Sequence, residues 1–169
     1  MKKKRLLLAV LALLLLAAAL WYRGKAGRPE GDSCSCVLSI RCDTALGSSA
    51  LTPETAALLP DDGAILPDTS VSFVQGESVF DVLLRETRER RIQMEFSETP
   101  VYASVYVEGI GNLYEFDCGA LSGWMYRVNG EFPNYGSSRC TLQDGDVVEW
   151  VYTCDMGADV GSDEGQLQK

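Results

Sequence analysis

The sequence predicts an α+β fold, a mainly antiparallel β-sheet with one principal α-helix, and three observations carry that prediction. Trp124, Tyr126 and Val128 alternate with Met125 and Arg127 ahead of Asn129-Gly130, the pair that supplies the two positive-φ residues of a type I′ turn. After the turn signal Gln143-Asp144-Gly145, Val148, Trp150, Tyr152 and Cys154 fall on one face of a second period-2 segment. Between these strands and the start of the chain, Val79 to Arg91 has a full helical signature: Ser78 stands as a cap, Asp81 occupies the third position, and Val79, Phe80, Val82 and Leu83 supply an apolar side.

Taken in order, the chain opens with Lys-Lys-Lys-Arg at residues 2 to 5 and an almost wholly Leu, Ala and Val run at 6 to 20. A basic stretch before an apolar one is a signal peptide or a signal anchor. A span needs about 17–25 apolar residues. Leu6 to Tyr22 reaches that minimum, and the bulky Leu20-Trp21-Tyr22 after the small residues Ala17 to Ala19 argues for retention. The expectation is therefore an uncleaved membrane-anchor helix over 1–25, its basic end cytoplasmic and the rest extracytoplasmic. The alternative is cleavage and a secreted domain. Residues 26–35, with Gly, Pro and charge, read as a linker, 36–156 as one domain, and 157–169 as a flexible acidic tail.

Within the domain, Cys36 to Cys42 is a first strand with Leu38 and Ile40 on one face. Thr44 to Leu59 is a short helix starting at Pro53 or a loop. Pro60-Asp61-Asp62-Gly63 is a turn, and Ile65-Leu66-Pro67 and Val71-Ser72-Phe73 are short extended pieces. After the principal helix, alternation at Ile92, Met94, Phe96 and at Val101, Ala103, Val105, Val107 predicts further strands, with Gly109-Ile110-Gly111 as a turn before Leu113 to Phe116. One helix laid on such a sheet is a β-grasp-like roll.

Charge excludes some partners. Six of the 15 Lys and Arg residues lie in the first 25 positions, so the rest of the chain carries nine basic and 24 acidic groups, a net charge of −15. Nucleic acid and anionic membrane surfaces both require positive patches. The Arg85, Arg88, Arg90, Arg91 group, interleaved with Glu86 and Glu89, reads as the solvated face of the helix.

Six cysteines in an exported domain imply a disulfide framework. Strand phase makes a Cys42–Cys154 bridge natural, with Cys118 and Cys140 closing the Trp124 hairpin. Cys34 and Cys36 then pair with each other or outside the chain. Cys-x-Cys can also chelate zinc, but a chain without histidine in an oxidising compartment favours disulfides, and no metal is expected.

The combined motifs resemble the transcobalamin-like C-terminal domain family of bacterial surface proteins. They are Cys42-Asp43-Thr44, Gly76-Glu77-Ser78-Val79-Phe80-Asp81-Val82-Leu83, Gly123-Trp124-Met125-Tyr126-Arg127-Val128-Asn129-Gly130, Pro133-Asn134-Tyr135-Gly136, Asp144-Gly145-Asp146-Val147 and Tyr152-Thr153-Cys154-Asp155. In transcobalamin and intrinsic factor the related β-rich domain closes over cobalamin held against a separate helical domain. The resemblance implies a binding module contributing one wall of a corrinoid site. No cofactor is required, and cobalamin or another corrinoid is the implied ligand. A corrin face needs aromatic walls and amide partners, which Trp124, Tyr126, Asn129 and Tyr135 could supply from one rim. Each has a plainer reading, Trp124 as core and Asn129 as turn chemistry. A histidine ligand to cobalt is excluded, because the chain has none.

Catalysis is not expected: without histidine there is no Ser-His-Asp or Cys-His arrangement, and no glycine-rich phosphate loop follows a strand. The expected function is an extracytoplasmic, membrane-anchored binding module for a corrinoid, served by a transporter or surface partner protein. The alternative is a cell-surface protein or glycan interaction domain without small-molecule cargo.

Overall fold

The computed structural model describes residues 33–99 and 104–162, and the expected anchor at 1–25 lies outside them. Their elements run β1 (Ser33–Arg41), α1 (Asp43–Leu46), α2 (Pro53–Ala56), β2 (Ala64–Val74), α3 (Val79–Arg90), β3 (Met94–Thr99), β4 (Ser104–Ile110), β5 (Leu113–Tyr114), β6 (Gly123–Val128) and β7 (Val147–Thr153). Sheet with few helices is the α+β class expected. None of the described helices is long and apolar enough to cross a membrane.

Four strands form one sheet in the order β2-β1-β7-β6, and three form a second in the order β3-β4-β5. Every pairing is antiparallel except the central one, where β1 and β7 run parallel from Val37↔Val147 to Arg41↔Val151. The two strands are brought together from opposite ends of the domain because both present an unbroken apolar face: Cys36, Leu38 and Ile40 from β1, Val148, Trp150 and Tyr152 from β7. Trp124 and Tyr126 of β6 extend that face, and Val79, Phe80, Val82 and Leu83 of α3 belong to the same buried cluster. Phe80 meets Phe96 of β3 edge-on at 4.9 Å between ring centroids, which ties the second sheet into the same core.

Helix α3 begins where its cap requires. Ser78 Oγ accepts the Asp81 N–H at 3.2 Å, and the Asp81 carboxylate accepts the Ser78 N–H at 2.9 Å, a reciprocal capping box. Its arginines are not uniformly solvated. Glu86 is buried with Arg85 at 3.5 Å and Arg90 at 3.2 Å, and Arg85 also pairs with Glu77 and donates to the Ser72 carbonyl at 2.6 Å. Arg88 and Arg91 are exposed as expected.

Several boundaries move. The two extended pieces at 65–73 are a single strand, β2, whose pairing with β1 shifts register between Leu38 and Arg41. Gly109 and Ile110 belong to β4, and the turn falls one step later at Gly111-Asn112, both with positive φ. Strand β1 starts at Ser33, inside the expected linker. At the other end, residues 157–162 are fastened to β7 rather than trailing from it. Gly157 donates to Thr153 Oγ1 at 2.7 Å, Asp159 pairs with Thr153 and Cys154, and Ser162 is buried.

Among the described residues no Sγ–Sγ bond joins Cys36, Cys42, Cys118, Cys140 or Cys154 to another cysteine. Cys154 lies near the Cys118 thiol, Cys42 donates to the Gly63 carbonyl at 3.5 Å and Cys140 receives the Tyr135 hydroxyl at 3.8 Å. Cys34 and Cys36 lie on one extended strand, with Cα atoms about 6.7 Å apart from the strand rise, at the upper limit of what a disulfide spans.

Candidate ligand-binding cleft

At the end of the sheet where β7 finishes and β6 begins, two loops enclose an apolar cleft of about 310 Å³ lined by Tyr106, Phe116, Leu121, Trp124, Met125 and Met156. Four of these side chains are exposed large hydrophobics: Phe116 at 61%, Leu121 at 49%, Met156 at 47% and Tyr106 at 43%. Only eight such residues occur among the described residues, and half of them converge here. Scattered apolar side chains on a surface are ordinary, but a contiguous group marks an interaction site.

The walls are loops held by backbone geometry. Phe116 has φ 69° and Met156 φ 47°, the left-handed region that a side chain enters at a cost. Phe116 is fixed by its N–H to the Ser122 carbonyl at 3.1 Å, and Met156 by its N–H to the Leu121 carbonyl at 2.9 Å. Ser122 organises the first loop: its Oγ accepts the Cys118 N–H at 3.1 Å and donates to the Gly119 carbonyl at 2.8 Å. Met125 packs on Gly157, where a Cβ would stand 2.9 Å from its sulfur. Tyr106 donates its hydroxyl to Glu115 Oε2 at 2.6 Å. Desolvation, reinforced by that carboxylate, pushes its phenol up to about 12, so the ring stays neutral and oriented.

The residues expected to bind are divided by the structure. Trp124 forms the floor of the cleft yet is only 7% exposed, its Nε1–H donated to the Leu113 carbonyl at 2.9 Å and its ring edge-on to Tyr152 at 5.3 Å. Tyr126 is buried, donates its hydroxyl to the Tyr135 carbonyl at 2.7 Å and lies 5.5 Å from Trp150. Burial, with Cys140 beside it, holds its phenol above the ordinary tyrosine range. Tyr135 lines a second cleft of about 390 Å³ with Val105, Asn134 and Arg139, and Tyr106 is the wall both clefts share. Asn129 belongs to neither. It does adopt the expected left-handed φ of 54°, followed by Gly130 at 85°, but the turn closes a single bridge between Val128 and Glu131. Its amide instead fastens the start of β7, accepting the Val147 N–H and donating to Asp146 Oδ1, each at 2.9 Å.

Phe116, Leu121, Met156 and Tyr106 are the residues that pattern reading missed. The available signal was the placement of large apolar residues in turn-rich segments, Ala120-Leu121-Ser122-Gly123 and Asp155-Met156-Gly157, where no period assigns them to a core. Chemically the cleft offers aromatic and aliphatic walls and one oriented phenol. The neighbouring Cys154 thiol is a poor nucleophile, since burial pushes it up to about 12. Among the described residues no group of three or more His, Cys, Asp or Glu is placed to hold a metal ion.

Residues 76–154, from the turn before α3 to the residue after β7, match a family described as a domain of unknown function (DUF4430). Among solved structures the fold is similar to haptocorrin in complex with Cbi, with a TM-score of 0.54 and 14% identity over 75% of this chain. The chain spans 26% of the haptocorrin chain. A protein from Ruminococcus gnavus ATCC 29149, described only as a candidate metal-binding protein, overlays with a TM-score of 0.43 and 14% identity, covering 71% of this chain and 96% of that one. No curated protein matches the sequence.

Proposed function

We propose that this chain is a non-catalytic binding module, held at the extracytoplasmic face of a membrane by its N-terminal apolar segment, and that its apolar cleft takes one face of a corrinoid such as cobalamin. The observation that carries this reading is the convergence of Phe116, Leu121, Met156 and Tyr106, two of them in strained backbone, around a floor made by Trp124. Strain maintained at exposed apolar residues does nothing for stability and is consistent with presentation to a ligand. The β-grasp-like order of the four-stranded sheet and its likeness to part of haptocorrin, whose structure holds Cbi, support the choice of ligand.

Size bears on how such a ligand would sit. Small-molecule sites usually measure about 300–1,000 Å³, and this cleft is at the lower end. A corrin ring would lie across it with one face covered, and a second component, such as a transporter or surface protein, would cover the other. The same openness supports a second reading, in which a protein or glycan partner occupies the cleft directly. Titration of the full chain in detergent with cobinamide and cobalamin, followed by tryptophan fluorescence and calorimetry, separates them. Saturable binding supports the corrinoid reading, and no heat or quenching at millimolar ligand removes it.

A further inference from the structure

The antiparallel register of β6 and β7 ends at Gly123↔Thr153, which sets Cys154 beside Ser122. Ser122 is also the residue on which the preceding loop is folded, through the Cys118 N–H, the Gly119 carbonyl and the Phe116 N–H. Beyond it, the Met156 N–H reaches the Leu121 carbonyl. Two segments far apart in sequence are thus held to the same short piece of backbone, and the thiols they carry, Cys118 and Cys154, are close enough to interact electrostatically. Cys118 is buried and Cys154 half-buried. Of the competing thiols, Cys42, which also lies near Cys118, donates to the Gly63 carbonyl at 3.5 Å, and Cys140 receives the Tyr135 hydroxyl at 3.8 Å.

We infer that Cys118 and Cys154 are a disulfide pair, which locks the loop carrying Phe116 and Leu121 to the end of β7 carrying Met156 and so fixes the two walls of the cleft. Formation removes two protons and two electrons from the thiols and needs a disulfide oxidant. One thiolate attacks oxidised glutathione and releases a first reduced glutathione. The second thiolate then displaces the other glutathione from the mixed disulfide, closing the Sγ–Sγ bond. With Cys154 pushed up to about 12 by burial, exchange in the folded domain is slow and the bond forms during folding.

The test is to refold the full chain from denaturant in a glutathione redox buffer, alkylate remaining thiols, and map cross-linked peptides without reduction. Trypsin separates Cys118 from the later cysteines at Arg127 and Arg139, and an aspartate-directed protease at Asp144 and Asp146 separates Cys140 from Cys154. The expected product joins the Cys118 and Cys154 peptides, persists in Cys140→Ser, and in Cys118→Ser leaves Cys154 alkylated. Either thiol in another pairing, or both alkylated, overturns the assignment. If Cys118→Ser does not fold, the map of the unaltered chain decides alone. The outcome is independent of whether a corrinoid binds.

Discussion

Met156 donates its backbone N–H to the Leu121 carbonyl at 2.9 Å, so the end of β7 and the loop leading into β6 rise as one unit. That single bond puts two exposed apolar side chains from distant stretches of sequence on opposite sides of a shared floor. The floor itself is core. Wall and floor should therefore respond differently to substitution.

Trp124→Ala tests the floor. The indole is nearly buried, donates to the Leu113 carbonyl and packs on Tyr152. Truncation leaves a cavity and an unpaired carbonyl, with an expected cost of about 3–5 kcal/mol. Urea unfolding monitored by circular dichroism measures it; a loss below about 1 kcal/mol would mean that the ring is not core.

Ser78→Ala tests the start of α3. The hydroxyl accepts the Asp81 N–H and the residue is buried, so its removal should cost about 1 kcal/mol, with Ser78→Gly costing less. The same unfolding curves report it, and equal midpoints for Ser78→Ala and the parent chain would contradict the capping box.

The alkaline limb of stability follows from buried acids that prefer to stay neutral. Desolvation raises Cys36 and Cys42 from 9.0 to about 11 and Cys154 from 9.0 to about 12, and it raises Tyr106 from 10.0 to about 12. In each case the unfolded chain gives up its proton first. Their contribution is fully present below pH 9, and it is lost as pH rises through 9 to 12. Reduced protein should hold a constant urea midpoint from pH 7 to 9 and lose stability steeply above it. Oxidation of the Cys118–Cys154 pair should soften the fall by removing the Cys154 thiol. A flat profile to pH 11 in reductant would contradict the burial of these groups.

Local chemistry was the legible part of this fold. Ser78 and Asp81 announce the helix start, period-2 alternation sorts Trp150 and Tyr152 from Glu149 and Val151, and Asn129-Gly130 takes the positive φ values its residue types imply. What alternation does not carry is partnership. Nothing in β1 says that its neighbour is β7, more than a hundred residues on, because parallel pairing leaves no turn between the strands to read. Asn129-Gly130 misleads for the same reason: its turn chemistry is right, yet β6 pairs with β7 across a further loop. The cleft was least legible. Phe116 and Met156 owe their positions to left-handed backbone and to hydrogen bonds between loops, and neither has a sequence period.

The most direct measurement of whether the cleft is the binding site is a paired one on Phe116→Gly and Leu121→Ala: cobinamide affinity and thermal midpoint on the same samples. Phe116 is exposed and left-handed, so glycine relieves about 1–2 kcal/mol of backbone cost against an entropic loss of about 0.4–1 kcal/mol, and the midpoint should hold or rise. Covering such a side chain with ligand contributes about 1.5–3 kcal/mol, so affinity should fall by about tenfold or more. Unchanged affinity in both variants, or loss only in step with unfolding, would show that the cleft is not where the ligand binds.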